Sequence, residues 1–130
     1  MVEEGLRERL ERVRASVADA AARSGRADDA VTIVAVSKTV GRDVVDAAYG
    51  LGLRHFGENR VQDARVKFAE PMPAGTVLHL IGRLQSNKAA VAVQLFDVIE
   101  SVDRVSLIDE LERQGAKLGR TLPILLQVNI

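Results

Sequence analysis

The sequence predicts an α/β fold built on a parallel sheet. Five short apolar runs begin near positions 31, 53, 77, 96 and 122, and a stretch with helical spacing separates each from the next. Strands that alternate with helices pair in parallel through crossovers. The first run, "VTIVAV", is continuous, as in a strand covered on both faces.

The chain opens with a helix. Leu6, Leu10, Val13, Val17 and Ala20/Ala21 recur at spacings of three and four and make one apolar stripe. Glu3 and Glu4 suit the positive end of its dipole, Arg23 suits the negative end, and Gly25 can stop it. "GRADDA" is a polar connection to the first strand, Val31–Val36. Arg42–Leu51 is a helix with Val44, Val45 and Ala48 inward, and Gly52 ends it. Leu53–Phe56 is the second strand. Asn59, with Gln62 three residues later, has the pattern of a capping box. The helix it opens turns Val61, Ala64 and Phe68 inward, and "EPMPAG" breaks it. Val77–Ile81 is the third strand. A helix follows from about Asn87 to Val93, with Ser86 as its N-cap, and "FDVIE" is the fourth strand. Asp103 caps a long helix through Leu118, Gly119 ends it, and "PILLQV" is the fifth strand.

Two architectures accommodate this order. Five parallel strands are the usual content of an open, flavodoxin-like sheet. They are also the first part of a (β/α)8 barrel, which needs about 250 residues when complete. Length and alternation by themselves favour the open sheet.

Composition narrows the function. The 130 residues suit one domain spanning 1–130. With 18 basic and 18 acidic residues the formal charge is zero, which gives no reason to expect capture of nucleic acid or of an anionic membrane. There is no cysteine, so disulfides, thiolate nucleophiles and cysteine zinc sites are excluded. The charged start "MVEEGLRERLERVR" is unlike a secretory signal, and no apolar run has the length of a membrane span. A cytoplasmic protein is expected.

Ligands of parallel sheets bind at the carboxyl ends of the strands. Here those ends read Ser37-Lys38-Thr39, Gly57-Glu58-Asn59, Gly82-Arg83, Glu100-Ser101-Val102-Asp103 and Asn129. Lys38 is the most informative. A lysine with apolar neighbours loses hydration of its charged form, which raises the share of neutral amine. A neutral amine attacks aldehydes. Taken alone, Lys38 reads more simply as a lysine whose stem packs and whose head reaches water. Asn59 reads as a helix cap, and His79 as a hydrogen-bonded core histidine facing the interior. His55 shares the parity of Leu53 and faces away from Phe56. Two histidines without cysteine make a histidine metal site improbable. There is no P-loop, and "GLGLRH" precedes a strand, so it is no dinucleotide turn. No serine lies in a G-x-S-x-G elbow.

In order and spacing, "AVSKT", "HFGENRVQDA", "LHLIGRLQSNK" and "ESVD" resemble the pyridoxal phosphate homeostasis protein family (YggS/PROSC type), and "LLQVNI" resembles its fifth strand. The resemblance implies the barrel of the alanine racemase N-terminal type, cut to about strands one to five, with an extra N-terminal helix. It implies pyridoxal 5'-phosphate (PLP) as cofactor, held as a Schiff base on Lys38, with Asn59, His79 and Asn129 lining the pocket. It implies cofactor homeostasis that serves recipient apo-enzymes, without catalytic turnover. A PLP-dependent racemase-like enzyme and a non-covalent phospholigand-binding fragment are the alternatives. Leu78, Arg83 and Asp63 depart from common family residues. The family continues for roughly another hundred residues, the size of a complete barrel. Those residues would bring the phosphate-binding amides. Weak PLP binding and self-association through open barrel edges are therefore expected.

Overall fold

The five apolar runs become five strands, and the stretches between them become helices. The computed structural model describes residues 2–130 and the side chains from residue 4 onward. The side chain of Glu3, expected at the helix dipole, lies outside the described residues. In chain order the elements are α1 (Val2–Arg23), β1 (Ala35–Val36), α2 (Arg42–Gly50), β2 (His55–Glu58), α3 (Val61–Lys67), β3 (Val77–Leu80), α4 (Ala89–Leu95), β4 (Val98–Val102), α5 (Val105–Lys117) and β5 (Ile124–Leu126). Single 3-10 turns cover Asp28–Ala30 and Ser86–Lys88.

All four strand pairings are parallel, and the spatial order is β1-β2-β3-β4-β5. This order decides between the two architectures. An open doubly wound sheet reverses direction at a switch point, whereas a barrel lays each strand beside the one before it. No reversal occurs, so the open flavodoxin-like alternative is corrected and the partial barrel stands.

Register assigns the faces. Ala35 pairs with Phe56, Phe56 with Leu78, and Leu80 with Ile99. Phe56, Leu80 and Ile99 are almost fully buried and join Val45, Ala64, Val93 and Leu107 from the helices in one core. Each large apolar side chain buried there is worth about 1.5–3 kcal/mol. The opposite face carries Val34, Gly57 and Ile81: a Cβ on Gly57 would stand 3.3 Å from both neighbouring side chains. At the amino ends of the strands, Asp97 clamps β3 to the segment after α5. Its carboxylate accepts from the Leu78 N–H at 2.8 Å and from Arg120 at 3.1 Å.

Two expectations fail locally. The first strand is short, with Ala35–Val36 alone in the ladder, and Val31 and Val36 are 42% and 56% exposed. As an outer strand of the described sheet, β1 has a single ladder partner, β2. The second failure concerns the caps. Asn59, Ser86 and Asp103 cap nothing; the residues before α3, the 3-10 turn and α5 are Arg60, Gln85 and Arg104, with no side-chain cap bond. Asp103 instead pairs with Arg104 at 2.7 Å. The Asn59 backbone packs against Gly82 so closely that a Cβ there would fall 2.1 Å from the Asn59 carbonyl oxygen.

Candidate functional site

The carboxyl ends of β1 and β2 meet where a buried ion pair fixes them. Glu58 shares the parity of Phe56 and points toward the helices, 1% exposed. A carboxylate there needs a cation. Lys67, in the last turn of α3, supplies it: Nζ donates to both Glu58 oxygens at 3.0 Å and also to the Ser37 carbonyl. The Ser37 hydroxyl donates to Glu58 as well. Strand end, helix end and neighbouring strand are thereby tied at one point, immediately before Lys38.

Lys38 itself is exposed, so the expected desolvation by apolar neighbours is not found. Lys38 borders a recess of about 220 Å³ with Thr39, Glu58, Asn59, Arg60 and Asp63. Unlike Lys67, it makes no ion pair or hydrogen bond among the described residues. The structure thus brings Lys38 and Asn59 together. Asn129 lies beyond β5 and is exposed.

His79 belongs to another group. It is 7% exposed on the inner face of the sheet. Its Nδ1 meets Glu100 Oε1 at 2.7 Å and its Nε2 meets His55 Nδ1 at 2.9 Å. This chain spans β2, β3 and β4. The His79–Glu100 bond orients the ring, and His55 then completes it. Among the described residues no His/Cys/Asp/Glu group could hold a metal ion.

Burial first, and then His79 beside it, push the His55 imidazole below its usual value of 6.5. Protonation at His55 therefore favours the unfolded chain, which binds that proton more readily. Its contribution to stability is complete above the unfolded value of 6.5 and is lost as pH falls below it. The melting temperature is expected to fall between about pH 7.5 and about pH 5.5, and to fall less in His55→Gln. Parallel curves for the two proteins would remove His55 from this account.

Strands added in sequence, with a free lysine at the carboxyl end of the first, define a barrel-type α/β protein that presents an amine at its mouth. Residues 9–130 match the family profile of the alanine racemase N-terminal domain, and the chain belongs to that family. It is similar to curated proteins named pyridoxal phosphate homeostasis protein. The one from Aquifex aeolicus is 35% identical over 95% of this chain and 54% of its own length. The one from Escherichia coli K12 is 37% identical over 93% and 53%. Among solved structures, PipY of Synechococcus elongatus PCC7942 without PLP superposes with a TM-score of 0.83 at 41% identity, covering 95% of this chain and 54% of PipY. PipY with PLP bound gives 0.76 at 43%, covering 88% and 55%. The chain spans about half the length of the curated relatives it matches. Among the described residues no helix is long and apolar enough to cross a membrane.

Proposed function

We propose that this chain binds PLP through Lys38 and serves intracellular PLP homeostasis without turnover. The observation that carries the reading is the free Lys38 amine at the carboxyl end of β1, in a fold shared with a structure of PipY that holds PLP. PLP supplies an electrophilic aldehyde carbon, and a neutral lysine amine is its natural partner. The residues present suit it. Lys38 offers an uncommitted nitrogen, Asn59 an amide on the same recess, and Arg60 a guanidinium on its rim. The Glu58–Lys67 pair holds the backbone that carries Lys38, so it positions the amine without touching the cofactor. His79 and Asn129 are proposed as further lining residues of the pocket. The relatives' name points to custody of the cofactor, which supports the reading without turnover.

Residues 1–130 are read as one domain, the N-terminal half of a PLP-binding barrel. The outer edges of β1 and β5 are open to a second chain, and Leu125, Leu126 and Val128 near β5 are exposed. Self-association there is part of the proposal, as are a cytoplasmic location and recipient apo-enzymes as partners.

Borohydride reduction in the presence of PLP, followed by peptide mass mapping, tests it. A pyridoxyl adduct on Lys38 that disappears in Lys38→Ala is the expected result. Random labelling of Lys67, Lys88 and Lys117, or no adduct, would reject covalent binding at Lys38.

A further inference from the structure

Beside the Lys38 recess lies a larger cleft of about 530 Å³ at the carboxyl ends of β2 and β3. Arg60 enters it from the start of α3, Arg83 from the loop after β3, Lys88 from the 3-10 turn and Arg104 from the start of α5. Its lining contains these four cations and no carboxylate. The chain as a whole is neutral, with 18 basic and 18 acidic residues, so this concentration does not follow from composition. Arg104 is satisfied by Asp103 and the Leu84 carbonyl. Arg60, Arg83 and Lys88 make no ion pair among the described residues, in contrast to Arg104 and Lys67. Like charges gathered in a concave surface repel one another until an anion enters, and a cleft focuses their field. Asn59, Gln62, Gln85 and Ser86 add neutral hydrogen-bonding groups. The volume lies in the range of small-molecule sites, about 300–1,000 Å³.

We infer that this cleft is a binding site for a second, phosphorylated small molecule that carries at least two negative charges. Arg83 and Arg60 provide forked donors that suit phosphate oxygens, and Lys88 provides a point charge. The cleft shares Asn59 and Arg60 with the Lys38 recess, so an occupant there sits next to whatever Lys38 holds. The inference does not rest on Lys38 chemistry.

Pyrophosphate is the probe, because it has no aldehyde and cannot bond to lysine covalently. Calorimetry should show binding that weakens with added salt and that persists in Lys38→Ala. The pair Arg83→Gln with Lys88→Gln should weaken it at least about tenfold, the loss expected from removing charged hydrogen bonds. Arg83→Lys should lose less, and circular dichroism should show all variants folded. Equal affinity in the double variant would overturn the site, as would the absence of pyrophosphate binding, including the case where only an acidic peptide or an oligonucleotide binds. Binding abolished once Lys38 carries a reduced pyridoxyl group would mean that the cleft serves the phosphate of PLP itself, and would overturn a second ligand.

Discussion

Replacing Lys67 by methionine is expected to destabilise the chain by about 3–5 kcal/mol, the cost of leaving a buried charge without its partner. Glu58 is 1% exposed and the Lys67 side chain 11%, so water screens neither charge well. Methionine keeps the stem that packs against the strand ends and removes the cation alone. Glu58→Gln in the same background should recover much of the loss, since an amide in that place carries no charge. Urea unfolding of the single and double variants measures both effects. A loss below about 1 kcal/mol would mean that the pair behaves like a surface salt bridge. The Lys67 variant should also label more slowly at Lys38, because the Ser37 carbonyl loses the ammonium that fixes it.

Gly82→Ala is expected to cost at least about 1–3 kcal/mol, the range for overpacking a filled site. The added Cβ would lie 2.1 Å from the Asn59 carbonyl oxygen and 2.8 Å from its carbonyl carbon. Both atoms are backbone, so no rotamer change relieves the overlap. Either the β2–α3 connection or the end of β3 must move. Gly57→Ala is the comparison: its Cβ would meet side chains of Ile81 and Val34 at 3.3 Å, which can shift by a few tenths of an ångström. Unfolding midpoints should therefore drop further for Gly82→Ala than for Gly57→Ala. The reverse order would show that the connection yields easily. Asn59 borders both the Lys38 recess and the basic cleft, so the same substitution should disturb both.

The elements were legible wherever a period repeats. The four-and-three spacing of Leu6 to Ala21 gave α1, and the alternation of runs gave the parallel sheet. Caps were not legible, because the signal at Asn59 is local, whereas its backbone packs against Gly82, just past the end of β3. Length could not separate barrel from open sheet; strand order did. Within the site, the place of Lys38 followed from its position after the first run. The role of Lys67 did not. It sits nine residues from Glu58, across a strand-to-helix turn, and no regular spacing links such a pair. One sign was available: Glu58 has the parity of Phe56, so its carboxylate had to find a cation among the helices. Parity also turned His55 away from Phe56, but the bond between His55 and His79 needs the register of β2 on β3.

The sequential strand order also bears on how the chain reaches this structure. Each strand pairs with its immediate successor, about 19 to 25 residues further on, and no pairing reaches across the chain. The loops to be closed are short and nearly equal, so no single step carries a large entropic barrier. Assembly can advance by one strand and one helix at a time, in the order in which a ribosome delivers them. The growing sheet keeps a fresh edge at its newest strand, to which the next strand and helix can add.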